Sequence, residues 1–350
     1  MNEILIYGAN GYTGRLVAKE AINKGLKPVL AGRNKQEIEQ LALDLGLSSR
    51  VFSLDNIADH LKGIAVVIHC AGPFEFTASQ MAKACISNSV HYIDITGEIT
   101  VFESFQGLSE DAKKSNIMMM PGAGFDVVPT DCLASMLKEK MPDATHIEMA
   151  FTGIGTTVSR GTATTAIQNL GSKNLIREDG KLKEVPSGKY FKWVDFGKVK
   201  HHCVSISWGD VSTAFFSTGI PNIKVYMGLK ASMRKWMLFG NWISPILKMK
   251  AVKNFLIKQL KKRPEGPNEE QRKNGYCLIW GEVSNKNSEK ISMHLKTREG
   301  YTFTALSSVL IASKIISGNF KAGYQTPSSA YENSLVLEIE GTEILQIQKV

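Results

Sequence analysis

Along the first 131 residues, short unbroken apolar runs alternate with stretches in which apolar residues return every three or four positions. The runs read as buried strands of a parallel sheet, and the periodic stretches as helices crossing between them. Ile4 to Tyr7 is the first run, and Arg15 to Ile22 has helical periodicity. Pro28 to Asn34 predicts a second strand, and Asn34 to Leu45 an amphipathic helix with Ile38, Leu41, Ala42 and Leu45 on one face. Val51 to Leu54 reads as a third strand and Ala65 to Cys70 as a fourth. A helix is expected over Thr77 to Ser87, a strand from His91, a helix over Val101 to Lys114 and a strand over Ile117 to Met120. Such alternation predicts an α/β fold with a doubly wound parallel sheet.

After Asp131 the pattern changes. A helix over Cys132 to Lys140 leads into period-two alternation. Ile147–Thr152, Lys189–Phe196, Ile223–Met227, Tyr276–Val283 and Ile291–Thr297 read as strands of a mainly antiparallel sheet. Ser159 to Thr162 opens a helix expected over Ala163 to Asn174, and His201-His202-Cys203 reads as a solvated strand. Asn268 is an N-cap candidate, Thr302 to Ser317 is helical, and Thr326-Pro327 supplies an N-cap with proline at the first helical position. The expected division is a nucleotide-binding domain over 1–131, an inserted α+β domain over 132–300 on the substrate side, and C-terminal helices over 301–350 that return to the first domain.

Chemistry enters at the end of the first strand. Gly8, Gly11 and Gly14 are spaced G-x-x-G-x-x-G, with Ala9, Asn10, Tyr12 and Thr13 between them. A strand, a glycine turn and a helix start place unpaired N–H groups and the positive helix end where a pyrophosphate can sit. This is the Rossmann-type arrangement. About twenty residues on, an acid would meet a free ribose 2′-OH, whereas arginine suits a 2′-phosphate. The residues here are Arg33 and Asn34, with no acid until Glu37, so NADP(H) is the expected cofactor. Asp55 closes the third strand and serves equally as an adenine neighbour or a helix cap. Ala71, Gly72 and Pro73 leave the fourth strand at the sheet edge where such folds bind ligands.

Composition narrows the class. The chain has 350 residues, 43% hydrophobic and 21% charged, as in an ordinary globular protein of two domains. With 42 Lys and Arg against 33 Asp and Glu, its net charge of +9 suits phosphates, acyl carriers or anionic lipid surfaces. No zinc-finger spacing or single-strand-binding aromatic motif points to nucleic acid. Five scattered cysteines, never C-x-x-C, fit reduced thiols in a cytoplasm and no metal site. The first strand begins almost at once, leaving no room for a targeting peptide, and no apolar run approaches the ~20 residues of a membrane span. A cytoplasmic location is therefore expected, with homo-oligomer formation left open.

Several other residues carry candidate chemistry. Asp126, in a loop after the Ile117–Met120 strand, is the candidate polar group beside the nicotinamide, or a turn residue ahead of Pro129. Asp94 and Glu98 read as structural groups of a similar loop. Arg160, beside a helix start, is a candidate for a substrate acid or carrier phosphate, or an exposed arginine. Tyr226 and Lys230 fit a Tyr-x-x-x-Lys pair, but Tyr226 alternates with apolar neighbours as in a strand. The segment 232–263 mixes Trp236, Phe239, Trp242 and Ile246 with lysines and contains no acid. It suits a peripheral membrane contact, a partner or acyl surface, or a domain-packing helix interrupted by Gly240 and Pro245.

With these residues read, the chain resembles the saccharopine dehydrogenase-like oxidoreductases. The resemblance rests on Gly8 to Gly14, Ala31-Gly32-Arg33, Cys70 to Phe74, Tyr92 to Glu98 and Gly124 to Asp131. Arg160 to Thr164 and Gly323 to Pro327 carry it into the second half. Within that family it is similar to the subgroup containing trans-acting enoyl reductases. It departs from lysine-pathway saccharopine reductases at Phe125 to Pro129, where they carry an Asp-Pro-Gly loop. The resemblance implies an NADP-binding domain, an inserted second domain and an NADPH-dependent reduction. The substrate expected is an unsaturated carbonyl in a lipid-like or polyketide-like acyl chain. A saccharopine-type imine reductase, and a non-catalytic NADP-binding protein that docks on membranes or partners, are the alternatives.

Overall fold

The apolar runs of the first half become strands covered on both faces, which is what a parallel sheet flanked by crossover helices demands. The computed structural model describes residues 3–349. One unit extends to Val128 and resumes over Tyr301–Leu335; the other covers Pro129–Gly300 and resumes at Val336.

The first unit starts with β1 (Glu3–Tyr7), α1 (Tyr12–Asn23), β2 (Val29–Gly32), α2 (Lys35–Leu45), β3 (Ser49–Val51) and β4 (Ile64–His69). It continues with α3 (Phe74–Ser87), β5 (His91–Asp94), α4 (Ile99–Gln106), α5 (Ser109–Lys114) and β6 (Met118–Met120). The second unit holds α6 (Val128–Lys140), β7 (His146–Ile154), α7 (Arg160–Gln168), β8 (Asn174–Glu178), β9 (Lys181–Val185), β10 (Phe191–Asp195), β11 (Lys200–Ser205), α8 (Asp210–Thr218) and β12 (Asn222–Gly228). Then come α9 (Ala231–Trp242), α10 (Ser244–Leu247), α11 (Lys250–Leu260), α12 (Glu269–Asn274), β13 (Tyr276–Ser284) and β14 (Lys290–Arg298). The chain ends with α13 (Gly300–Ile316), β15 (Gly323–Tyr324), α14 (Pro327–Tyr331) and β16 (Glu343–Lys349).

In the first unit the strands lie in the order β15-β6-β5-β4-β1-β2-β3, every pair parallel. The order reverses between β1 and β4, so their carboxyl ends form the crevice at which doubly wound sheets take ligands. Leu5, Tyr7, Val67, Tyr92 and Met119 pack with Ala78, Met81 and Phe105 from the helices in one buried cluster. Each large side chain so buried contributes roughly 1.5–3 kcal/mol.

The second unit is a mixed sheet in the order β10-β11-β12-β7-β13-β14-β16, with the β8–β9 hairpin joined to β12. All its pairs are antiparallel except β12 with β7. Helix α6 packs on β13 so closely that a methyl group on Gly281 would lie 2.8 Å from Leu137 Cδ1.

Several expectations are corrected. The third strand lies at Ser49–Val51, ahead of the apolar Phe52 and Leu54. The helix expected over Val101–Lys114 is two, interrupted at Gly107-Leu108. Helix α6 begins at Val128, so Pro129 stands in its first turn, where a missing N–H costs nothing. Helix α7 stops at Gln168, and Asn174 opens a strand instead. His202 and Cys203 are buried, because β11 is an interior strand rather than a solvated one. Residues 301–350 do not all return to the first unit, since β16 pairs antiparallel with β14.

Candidate nucleotide site

Four loops converge at the carboxyl ends of β1, β2, β4 and β5. The glycine loop is built by backbone contacts: Gly8 N and Ala9 N donate to Ala31 O at 2.8 and 3.1 Å, and Gly11 N donates to Gly8 O at 3.0 Å. Gly8 has φ +80°, and a Cβ there would lie 2.8 Å from Ala71 Cβ. A Cβ on Gly14 would lie 2.3 Å from Gly8 O, so α1 can close on the end of β1 only without a side chain. Ala71 thus meets the glycine loop across the switch point, as its place in the sequence implies.

The helix starts around this edge differ in what already fills them. Asn34 caps α2, accepting from Glu37 N at 3.4 Å. The N-terminus of α3, after Pro73, is held by Glu98, whose carboxylate accepts from Phe74 N at 3.0 Å and Glu75 N at 2.7 Å. Helix α1 has neither a side-chain cap nor an acid in its first turn. Its twelve residues begin at a positive N-terminus next to the turn of Gly8 to Gly11, and an anionic phosphate suits it.

Arg33 and Asp55 are both exposed, and both act on the Tyr7 phenol, Arg33 favouring its ionisation and Asp55 opposing it. Burial dominates and raises the Tyr7 pKa, while its hydroxyl donates to Phe52 O at 3.2 Å. Asn34 and Asn10 are joined through Glu37, which accepts from Asn10 Nδ2 at 2.7 Å and Asn34 Nδ2 at 2.5 Å and was not among the expected site residues. Its position three residues after an N-cap asparagine was the available signal. Arg15 Nη1 donates to Asn10 O at 2.6 Å and steadies the same turn.

At the β5 and β6 edge lie three carboxyls. Asp94 is fully buried and accepts from Tyr92 Oη (2.7 Å), Thr96 N and Gly122 N (both 2.9 Å). Burial outweighs these bonds and pushes its pKa up to about 7. Asp126 is raised to about 7 by burial first and then by the charge of Glu98, itself raised mainly by burial. Asp126 lies against Gly97, where a methyl group would come within 2.9 Å of Oδ2. The Asp126 loop is supported by α13: Phe125 N donates to Thr304 Oγ1 at 3.0 Å, and Ser307 Oγ to Ala123 O at 2.7 Å. Beneath the crevice His69 is wholly buried, with Nε2 3.0 Å from Thr77 Oγ1, and burial lowers its pKa to about 3.

Arg160 belongs to the second unit. It is the first residue of α7, its Nε donates to Arg263 O at 2.6 Å, and its Nη1 lies 3.9 Å from Glu265 Oε1. Tyr226 is on a strand, with its hydroxyl donating to Glu148 at 2.9 Å, so the Tyr-x-x-x-Lys reading does not apply. A separate cavity of about 480 Å³ in the second unit is lined by Lys192 and Trp280 among others, with Lys192 already paired to Glu148 at 2.8 Å. Among the described residues no cluster of His, Cys, Asp or Glu suits a metal ion.

Residues 4–120 match the family model of the saccharopine dehydrogenase NADP binding domain. The chain carries an NADP-binding domain of the saccharopine dehydrogenase type. This domain contains the glycine loop, Arg33, Asp55 and the Ala71–Pro73 turn. Among curated proteins, the saccharopine dehydrogenase-like oxidoreductases of Bos taurus and Homo sapiens are each 30% identical over 217 residues, 52% of this chain and 50% of theirs. The match thus spans about half the length of those relatives. A Mycobacterium tuberculosis protein described as a candidate trans-acting enoyl reductase is 27% identical over 140 residues, 37% of this chain and 33% of its own. Among solved structures, saccharopine dehydrogenase (L-Glu forming) from Saccharomyces cerevisiae aligns over 100% of this chain and 99% of its own, with a TM-score of 0.66 at 11% identity. At that identity the likeness shows a shared fold: a Rossmann-type parallel sheet with a second, mixed-sheet domain.

Proposed function

We propose that the protein is an NADPH-dependent oxidoreductase that reduces a double bond conjugated to a carbonyl, in a lipid-like or polyketide-like acyl substrate. The observation that carries the cofactor half is the start of α1 beside Gly8, which has no side-chain cap and no acid in its first turn, joined at the next strand end by Arg33. The backbone of Gly8 to Gly14 holds the pyrophosphate, Arg33 takes the 2′-phosphate, and the Ala71–Pro73 turn walls the other side. When bound, the reduced nicotinamide supplies a hydride. Reduction of the double bond then needs one proton. Asp126, with a pKa of about 7, carries a proton in a useful fraction of molecules at neutral pH. Asp94 and Glu98 keep their structural tasks, holding the neighbouring turns through the hydrogen bonds above.

The acyl reading draws on the enoyl reductase described in Mycobacterium tuberculosis and on the departure at Phe125–Pro129. Arg160 is assigned to a substrate carboxylate or carrier phosphate, and the working location is the cytoplasm. The test is NADPH oxidation measured against a panel of enoyl thioesters and, separately, 2-oxo acids paired with amines. Turnover of the thioesters supports the proposal. Turnover of only the oxo-acid and amine pairs makes the protein an imine reductase, and NADPH binding with no turnover of either makes it a binding protein.

A further inference from the structure

Helices α9, α10 and α11 leave large apolar side chains in solvent. No residue of α9 or α10 is buried, and α11 buries Leu260 alone. Trp242 is 88% exposed, Trp236 68%, Phe255 61%, and Phe239, Ile246 and Met249 are each more than half exposed. Besides half-buried apolar side chains such as Met237 and Leu247, several polar contacts fasten the helices to the second unit. Asn241 Nδ2 donates to Ser187 O at 2.8 Å, and Ser187 N donates to Asn241 Oδ1 at 3.2 Å. Arg234 Nε donates to Gly188 O at 3.1 Å, Ser244 Oγ to Gly171 O at 2.7 Å, and Lys253 Nζ to Gln168 O at 2.5 Å. Leaving this many aromatic and large apolar groups outward is a costly arrangement in water, and such a patch marks an interaction surface. The domain-packing role that Trp236 and Trp242 would suit is therefore not the one they have.

Charge says what the surface meets. From Val211 to Pro264 there is no Asp or Glu, against eleven Lys and Arg. Lys235, Lys248, Lys250 and Lys258 are exposed among the aromatic residues. A second copy of the chain would bring the same cations face to face, which disfavours self-pairing. No described helix is long and apolar enough to cross a membrane, and α9, the longest of the three, has 12 residues. Tryptophans ringed by lysines on short helices suit the plane of a bilayer interface, where indoles settle at headgroup depth and ammonium groups reach phosphates.

We propose that α9 to α11 dock the protein peripherally on a membrane rich in anionic phospholipids, with Trp236, Phe239 and Trp242 entering the headgroup layer and the flanking lysines lying over the phosphates. Docking is independent of the reaction assigned above. The test is co-sedimentation of the full chain with vesicles of phosphatidylcholine alone and of phosphatidylcholine mixed equally with phosphatidylglycerol. Binding is expected to the mixed vesicles only, and to weaken at about 0.5 M salt, where screening is nearly complete. Lys248→Gln and Lys250→Gln should each weaken it about fivefold. A Trp236→Ser, Trp242→Ser double variant should lose it at least about tenfold, with unchanged NADPH affinity and melting temperature showing that both units are intact. Equal binding to neutral vesicles, no binding at low salt, or folded variants that bind like the parent would overturn the proposal. So would a dimer, seen by sedimentation velocity, that the tryptophan double variant converts to monomers.

Discussion

At Asp126 the environment does what the residue type alone does not: burial and the charge of Glu98 lift its carboxyl from 3.8 to about 7. A raised acid holds its proton more firmly folded than unfolded. Its contribution to stability is therefore complete below about pH 4 and is lost as the pH rises through 7. Asp126→Asn should melt at the parent's temperature near pH 4 and above it at pH 8, measured by calorimetry. If Asp126 also donates the proton, turnover by the parent should fall above about pH 7. The Asn variant should then lose both that limb and roughly 10²–10⁴-fold of the rate. Gly97→Ala tests the same group from outside, because the added methyl meets Oδ2 at 2.9 Å and must move the carboxyl. Its expected signature is a lowered kcat with NADPH affinity kept. The glycine turn and the strand ends that carry Arg33 and Asp126 could be read from the chain, since each follows a local apolar run. The partners of Glu98 and Thr304 could not be read, because each bonds residues of another segment that only the folded chain brings near, as Glu37 does in reaching Asn10.

Among the elements, the strand–glycine–helix unit is the most legible, since its signals lie within eleven consecutive residues. Boundaries were less so. The start of α6 was hidden by Pro129, which reads as a breaker although it fits a first turn. The β8–β9 hairpin was missed although Asp179-Gly180, with φ of 49° and 75°, is a strong hairpin signal between its strands. Strand β16 escaped because its residues are mostly exposed and its pairing with β14 bridges some fifty residues of chain, as an estimate of contact range. Two substitutions test the element-scale account. Gly14→Ala places a methyl 2.3 Å from Gly8 O, so it should abolish measurable NADPH binding and lower the melting temperature. Thr304→Val removes the acceptor for Phe125 N and should cost about 1–3 kcal/mol in a denaturant titration. An unchanged midpoint would mean that α13 does not support the Asp126 loop.

For the whole molecule, the parallel sheet and the strand ends that carry the crevice follow from the alternation of runs and helices, while the strand order comes from the fold alone. The second unit followed less fully, because half-exposed strands alternate weakly and a late strand joins them out of sequence. The account as a whole stands on one site, the pocket formed by the start of α1 and the end of β2. Isothermal titration of the full chain with NADPH and NADH, for the parent and for Arg33→Asp, examines it most directly. The parent should bind NADPH about ten- to hundredfold more tightly than NADH, and the substitution should remove most of that difference while leaving NADH nearly as before. No heat with either dinucleotide, or an equal loss of both on substitution, would contradict the account.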